Sequence, residues 1–179
     1  MGWPTLRTDR LLLRPLVAED LDALAALHEQ ESFWWYPSGR GWSREETRNF
    51  FEGTVERYQD PGMAVSAVVV RESDELAGWA GLSVPTFLPE ILPAVEVGWR
   101  LGEHHRRRGY ATEAGAAWVQ YGFDEMGLDR IVSICEPENG ASAGVMRRLG
   151  FTLERETTHP ALGVPLHVAS LAREDWKPA

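Results

Sequence analysis

One stretch of the chain decides the fold: Val95-Glu-Val-Gly-Trp-Arg-Leu-Gly-Glu-His-His-Arg-Arg-Arg-Gly-Tyr-Ala-Thr-Glu-Ala114. Its first residues alternate apolar and polar side chains with a period of two, which is typical of a half-buried strand. After Ala111 the apolar residues recur at three-to-four spacing as far as Met126, which is typical of one face of a helix. The stretch therefore predicts a strand, a turn rich in Arg and Gly, and the start of a helix.

The predicted turn has the composition of an anion-binding site. Unpaired N–H groups at a helix N-terminus favour a bound anion, and Gly109 lets a ligand approach the backbone because it has no Cβ. Arg106, Arg107 and Arg108 add positive charge that a guanidinium can deliver through two N–H groups. A diphosphate fits these features. An exposed basic loop that binds nothing is the alternative that this turn alone leaves open.

Length and composition predict a folded domain in a reducing compartment. The chain has 179 residues, of which 44% are hydrophobic and 25% are charged, and we expect one domain over residues 1–179. A net charge of −9 argues against non-specific nucleic-acid binding. No apolar run approaches the ~20 residues that span a bilayer, and the N-terminus lacks a secretory pattern. We expect a cytoplasmic protein that binds neither nucleic acid nor membrane, with the lone Cys135 as a small buried residue.

Three motifs resemble those of one enzyme superfamily. Residues 106–111, Arg-Arg-Arg-Gly-Tyr-Ala, resemble the Arg/Gln-x-x-Gly-x-Gly/Ala signature of the GNAT N-acetyltransferases. Residues 109–114 and residues 139–151, Asn-Gly-Ala-Ser-Ala-Gly-Val-Met-Arg-Arg-Leu-Gly-Phe, resemble the branch that acetylates ribosomal-protein N-termini. Residues 8–16, Thr-Asp-Arg-Leu-Leu-Leu-Arg-Pro-Leu, resemble the opening strand of that branch. Because these motifs follow in order over nearly the whole chain, the sequence is identified as a member of this superfamily.

The order of elements predicts a mixed α/β (α+β) fold. Hairpins come first and strand-helix-strand units later, which indicates a mixed sheet covered by helices. The resemblance implies the GNAT fold, with a mixed, mostly antiparallel sheet of about seven strands and about four flanking helices. In that fold the fourth and fifth strands splay apart and acetyl-CoA enters between them; here they are residues 95–101 and 130–135. The other predicted strands are residues 11–16, 63–71, 76–84, 152–156 and 167–171, and the predicted helices begin near residues 19, 43, 111 and 142.

The resemblance implies acetyl-CoA as the acyl donor and no metal. Main-chain groups of Trp99 and Leu101 would hold the pantetheine arm and the thioester carbonyl, and Asn139 would reach the pantetheine. The N–H groups from Arg106 to Ala111 would bind the diphosphate. The predicted cofactor-binding residues are Trp99, Leu101, Arg106, Arg107, Arg108, Gly109, Tyr110, Ala111, Thr112 and Asn139.

Glu96 and Ser142 are the predicted catalytic residues. Glu96 lies on the strand that would carry the thioester, and apolar neighbours can raise the pKa of a carboxyl toward the range of a general base. An ordinary solvent-facing residue or an ion-pair partner is the alternative for Glu96. Ser142 matches the proposed proton donor of the ribosomal-protein branch, and capping of the turn after Asn139 is its alternative role. Many superfamily members carry a Tyr donor where this chain has Met146, so that role is not carried over.

Trp34, Trp35 and Tyr36 are the predicted substrate-binding residues, because an aromatic turn can line an acceptor pocket and contact an amine through cation–π interactions. Packing of the helices onto the sheet is the alternative. The predicted reaction is direct attack on acetyl-CoA by a primary amine in a ternary complex. The acceptor would be a peptide or protein N-terminus, or a small-molecule amine.

A non-catalytic acyl-CoA-binding or regulatory module with the same fold is the alternative function, and Met146 in place of a Tyr donor is the residue that keeps it open. The sequence leaves the oligomeric state open. Association as a homodimer through the C-terminal strands is compatible with the superfamily.

Overall fold

The computed structural model describes residues 3–34, 39–58 and 63–178. Within these ranges the strands are β1 Leu6–Arg7, β2 Leu11–Arg14, β3 Val65–Val70, β4 Glu75–Ser83, β5 Glu96–Leu101, β6 Arg130–Cys135, β7 Thr152–Thr158 and β8 Pro165–Ala172. The α-helices of the same ranges are α1 Leu21–His28, α2 Arg44–Arg57, α3 Tyr110–Asp124 and α4 Gly140–Arg148. The strands form one sheet in the order β1-β2-β3-β4-β5-β6-β8-β7.

The mixed α/β fold that the sequence predicted is confirmed, with one more strand than expected. The additional strand is β1, which is too short to show an alternation of apolar and polar residues. Strands β3 and β4 pair antiparallel, as the predicted hairpin requires, and β5 and β6 pair parallel. No helix of the described ranges is long and apolar enough to cross a bilayer.

The described residues fall into two compact units, each with its own apolar core. The first unit is Met1–Gly81 with Trp99–Ala114, and the second is Leu82–Gly98 with Gly115–Ala179. In the first unit Leu16, Leu24, Ala67 and Val69 form a buried cluster, against which Phe50, Phe51, Tyr58 and Trp79 pack. In the second unit the buried cluster is Leu88, Ala94, Val132 and Val168. The prediction of a single domain over residues 1–179 stays a prediction.

Helix α2 begins at a capping box formed by Ser43 and Glu46, where the sequence predicted a helix to start. The amide of Glu46 donates to the Ser43 hydroxyl at 3.2 Å, and the amide of Ser43 donates to the Glu46 carboxylate at 2.8 Å. Each side chain therefore satisfies a main-chain N–H group at the helix start. The guanidinium of Arg40 bonds the same carboxylate and lowers the pKa of Glu46 to about 2, with help from the Ser43 amide.

An aromatic cluster around His28 packs α1 against α2 in the first unit. The imidazole is fully buried, and its Nδ1 lies 3.2 Å from the Thr47 hydroxyl. Burial, with the charge of Arg100, lowers the pKa of His28 to about 3, so the ring is neutral at physiological pH. Rings of four neighbours surround it: Phe33, Trp34, Trp42 and Phe50.

Gly78 allows the main chains of β4 and β5 to approach closely. Its φ angle is +147°, and a Cβ atom at this position would lie 2.1 Å from the carbonyl oxygen of Arg100. Two backbones therefore meet at a distance that excludes any side chain. Since Arg100 belongs to the strand that leads to the candidate site, this contact sets where that strand lies within the first unit.

We expect Gly78→Ala to lower the free energy of unfolding by about 2–4 kcal/mol, because the new methyl group displaces the Arg100 carbonyl and strains the backbone. The matched control is Gly53→Ala in α2, where no atom would lie within 4 Å of the new Cβ. The control should raise stability by about 0.5–1 kcal/mol, the helix propensity gain of Ala over Gly. Urea denaturation of both variants measures the difference, and equal stabilities would contradict the close approach.

Candidate functional site

Strands β5 and β6 separate shortly after their first pairing in the second unit. Glu96 is registered with Val132, and the Val132 amide donates to the Val95 carbonyl at 2.8 Å. Beyond this point the Val97 carbonyl accepts from the hydroxyl of Ser133 at 3.0 Å. The amide of Ile134 donates to the carboxylate of Glu96. The side chains of Ser133 and Glu96 therefore bond main-chain groups that would bond the main chain of the neighbouring strand in a regular ladder.

The environment of Glu96 gives its carboxyl an unusual pKa. Burial disfavours the charged form and raises the pKa of Glu96 to about 7, while the hydrogen bond from the Ile134 amide opposes part of this rise. At neutral pH the group therefore exists in both protonation states. A carboxyl with this pKa can accept a proton and release it again near pH 7, which is the requirement for a general base.

Helix α4 begins at Asn139, whose side chain is its cap. The Oδ1 atom of Asn139 accepts from the amide of Ser142 at 3.0 Å. Asn139, not the Ser142 hydroxyl, thus performs the capping that the sequence allowed for Ser142. The proton-donor role of Ser142 and the pantetheine contact of Asn139 stay predictions.

Cys135 is a packing residue at the end of β6. It is 4% exposed, and its Sγ atom lies 4.0 Å from the sulfur of Met146. Burial raises the pKa of the Cys135 thiol, so the reactive thiolate is disfavoured. The expectation of a small buried residue is confirmed. Met146, which occupies the place of the Tyr donor, is equally buried at 4% exposure.

The Arg-Gly turn, residues 106–109 of the first unit, contains two residues in the left-handed backbone region. Arg107 has φ +58° and Gly109 has φ +83°, and α3 follows at Tyr110. The Gly109 carbonyl accepts from the Glu113 amide at 3.0 Å, which closes the first turn of the helix. Left-handed residues before a helix N-terminus direct successive N–H groups to one side, and such a nest binds anions. Arg107, Arg108 and Gly109 are exposed, so a ligand can reach them.

The turn is held from one side by a network that sequence reasoning missed. The carboxylate of Glu113 accepts from the Thr8 hydroxyl at 2.6 Å and from the Arg10 amide and Nε at 2.8 and 2.7 Å. Arg10 also donates to the carbonyl of Arg108 at 2.8 Å. Burial opposes ionisation of Glu113, but these hydrogen bonds outweigh it and lower its pKa. The signal was available, since Thr8 and Arg10 lie in the opening-strand motif and Glu113 lies in the turn motif.

The turn is held from the other side by Arg106. Its Nε donates to the carbonyl of Leu101 at 3.0 Å, and its Nη2 donates to the carbonyl of Ser32 at 2.5 Å. These two bonds direct the guanidinium to the protein main chain. The Arg106 side chain, which the sequence predicted to supply charge to an anion, therefore also has a structural use, whereas Arg107 and Arg108 are exposed.

The predicted cofactor-binding residues fall into two local groups. Leu101 and residues 106–112 belong to the first unit together with Trp99, and Asn139 belongs to the second. Leu101 is 7% exposed and its carbonyl is engaged by Arg106. Among residues 3–34, 39–58 and 63–178, no group of three His, Cys, Asp or Glu side chains comes together to hold a metal ion. The assignments to the cofactor stay predictions.

Trp34 is buried between two other side chains. It is 5% exposed, the ring of Trp42 stacks on it at 3.6 Å, and the guanidinium of Arg100 lies 4.4 Å from its centroid. A ring stacked this closely leaves no room for Arg100 on the same side, so the two cover opposite faces. The packing alternative fits these contacts. The substrate-binding role of Trp34 stays a prediction, and Trp35 and Tyr36 lie outside the described residues.

The raised pKa of Glu96 links its protonation to stability. In the folded protein the pKa of Glu96 is about 7, above the ordinary value of 4.5. The contribution of this carboxyl to the free energy of unfolding is therefore full at low pH and is lost as pH rises through about 7. We expect Glu96→Gln to match the parent near pH 4.5 and to exceed it by up to about 3 kcal/mol above pH 8. Urea denaturation across this pH range measures the difference, with exposed Glu125→Gln as the control. A difference independent of pH would contradict burial of the carboxylate.

Known proteins resemble the chain in both sequence and structure. A family model described as "Acetyltransferase (GNAT) domain" matches residues 10–152. A Bacillus subtilis protein, "Uncharacterized N-acetyltransferase YnaD", is 29% identical over 149 residues, which are 83% of each chain. A crystal structure of an acetyltransferase from Agrobacterium tumefaciens superposes with a TM-score of 0.80 at 28% identity, covering 97% of this chain and 96% of that one.

A more distant structure, RimL, is described as a ribosomal L7/L12 α-N-protein acetyltransferase in complex with coenzyme A. It has a TM-score of 0.77 at 20% identity, with coverage of 94% and 98%, and it supports the fold alone. The family model covers well over half of the chain, including β5, the Arg-Gly turn and the cap of α4. The chain therefore belongs to the GNAT acetyltransferase family.

Proposed function

We propose that this protein transfers the acetyl group of acetyl-CoA to a primary amine. The observation that carries the proposal is the turn of residues 106–109, in which two left-handed residues precede the N-terminus of α3. Backbone N–H groups in this arrangement bind phosphate, and CoA carries a diphosphate. Acetyl-CoA supplies an activated acetyl thioester when it is bound.

The residues of the turn fit a diphosphate. The first amides of a helix point away from its hydrogen-bond ladder, so the N-terminus of α3 can present N–H groups to phosphate oxygens. Gly109 leaves the surface above the main chain open, since a Cβ there would meet no more than the Arg10 side chain. Arg107 and Arg108 supply charge beside the nest. We propose that Tyr110, Ala111 and Thr112 donate their amides and that the pantetheine is held by Trp99, Leu101 and Asn139. The CoA complex of RimL supports this choice of ligand.

Glu96 is the proposed general base. An α-amino group has an ordinary pKa of about 7.7–8.0 and a lysine side chain about 10.4. A carboxylate with a pKa of about 7 accepts a proton from an α-ammonium group at little cost, whereas a lysine side chain would cost about 2.5 pKa units more, or roughly 3.5 kcal/mol. The match favours an acceptor of low amine pKa, such as a peptide or protein N-terminus. RimL, which is described as a ribosomal L7/L12 α-N-protein acetyltransferase, supports the same class.

The remaining roles follow the same proposal. Ser142 would return a proton to the departing thiolate from the first turn of α4, where Asn139 fixes its main chain. The acceptor would attack directly, because the one cysteine is buried with a raised pKa and offers no acyl carrier. Cytoplasmic location and a homodimer stay predictions.

We expect Glu96→Gln to lower kcat by about a hundredfold, the usual share of a positioned base. The parent rate should rise with pH through about 7, where Glu96 loses its proton, whereas the rate of the variant should rise only as the amine loses its own proton, at about 7.7–8.0 for an α-amino group. The assay measures thiol release from acetyl-CoA with a panel of N-terminal peptides, polyamines and aminoglycosides. Retention of the lower-pH rise in Glu96→Gln would remove Glu96 from the mechanism. Cofactor binding without thiol release from any amine would favour the non-catalytic alternative.

We expect Glu113→Ala to weaken CoA binding about tenfold, because Thr8 and Arg10 lose the carboxylate that ties them to the turn. Calorimetric titration with CoA measures the affinity. Glu125→Ala is the control, since this exposed carboxylate lies just beyond the other end of α3. Unchanged affinity in Glu113→Ala would show that the network does not organise the cofactor turn, and absence of binding to the parent protein would contradict the proposed function.

A further inference from the structure

Arg100 of β5 and Arg106 of the Arg-Gly turn donate to consecutive carbonyl groups of one short turn. The turn is the 3-10 segment Glu31–Phe33, which follows α1 and precedes Trp34. Arg106 donates to the carbonyl of Ser32 at 2.5 Å. Arg100 donates to the carbonyl of Phe33 at 2.6 Å. All of these residues belong to the first unit.

Arg106 joins three parts of the chain through one guanidinium. It belongs to the Arg-Gly turn, residues 106–109. Its Nε donates to the carbonyl of Leu101 at the end of β5, and its Nη2 donates to the carbonyl of Ser32. A guanidinium suits this task because its donors are fixed in a plane and can reach two acceptors at once. Glu103 adds a weaker link, since it accepts from the Ser32 hydroxyl at 3.4 Å.

Arg100 continues the contact into the aromatic cluster. Its guanidinium lies 4.4 Å from the centroid of Trp34 and 5.7 Å from that of Trp79. The amide of Trp34 donates to the Glu31 carbonyl at 2.9 Å, so the turn also fixes the main chain of Trp34. The turn and the indole that follows it are therefore placed by side chains of β5 and of the cofactor turn.

We propose that Arg106 is a positioning residue, whose side chain fixes the turn Glu31–Phe33 and thereby places the predicted acceptor-side residue Trp34. The inference rests on the proposed function in treating Trp34 as a residue of the acceptor site. The positioning of Glu31–Phe33 does not depend on that function, because the bonds from Arg106 to Ser32 and Leu101 exist without any ligand. Under this proposal Arg107 and Arg108 supply the positive charge that binds phosphate. Arg106, the first arginine of the Arg-Gly turn, links that turn to the segment Glu31–Phe33.

The geometry separates this role from that of a phosphate ligand. A phosphate ligand needs positive charge, and Lys keeps that charge as a compact ammonium group, although it lacks the paired N–H groups of Arg. A bridge to two carbonyl groups needs the planar fork of donors, which Lys lacks. Arg106→Lys therefore preserves the charge of the turn and removes the bridge. Arg107→Lys makes the same chemical change at an exposed neighbour.

The test is hydrogen exchange of the ligand-free protein, read at the amides of Phe33 and Trp34. The Phe33 amide donates to the carbonyl of Gln30, and the Trp34 amide donates to the carbonyl of Glu31, both at 2.9 Å. In Arg106→Lys we expect their exchange to be faster by about tenfold or more, because the turn opens more often. In Arg107→Lys it should equal that of the parent. Exchange of Ile131 and Val132 in the buried strand β6 should be unchanged in both variants, which shows that each is folded.

Titration with CoA and kinetics with a competent amine complete the experiment. Arg106→Lys should keep its CoA affinity within about threefold and raise the KM of the amine more than that of acetyl-CoA. Parental exchange at Phe33 and Trp34 in Arg106→Lys would overturn the proposal. If the parent fails to bind CoA, the proposed function falls, and the exchange measurement still decides whether Arg106 holds the turn.

Discussion

Buried main-chain polar groups must find partners, and at the candidate site side chains provide them. Where β5 and β6 separate, the Val97 carbonyl bonds Ser133 and the Ile134 amide bonds Glu96. A sheet can open between two strands only if the exposed ladder groups are satisfied in some other way, since an unsatisfied buried group costs about 1–3 kcal/mol. The polar residues at the divergence are therefore a condition for its existence, and they are also the groups available for chemistry.

This constraint sets the protonation of Glu96. Burial alone would favour the neutral carboxyl, and the Ile134 amide favours the charged one; the balance places its pKa at about 7. The hydrogen bond that repairs the separated ladder thus also holds the pKa of the carboxyl in the range useful for a base. Stability and chemistry conflict here, because the ionised form that accepts a proton is the form that the fold disfavours above neutral pH.

Local patterns predicted the elements well, and contacts between distant residues escaped them. The capping box of α2 and the bounds of β6 follow from residues within a few positions of one another. The bonds from Thr8 and Arg10 to Glu113 join residues 105 and 103 positions apart. Such partners depend on how the elements pack, which periodicity does not encode. The same limit hid the Ser133 bond to Val97, 36 positions away.

The direction of an arginine side chain is the clearest case of this limit. Three successive arginines look alike in sequence, and all were predicted to face an anion. In the fold, Arg107 and Arg108 are exposed, whereas Arg106 is half-buried and donates to two carbonyl groups. The signature that the turn resembles admits Arg or Gln at this first position. These two side chains share planar N–H donors that bond carbonyl oxygens, and only one of them is charged. The shared property matches a bond to a main-chain carbonyl group.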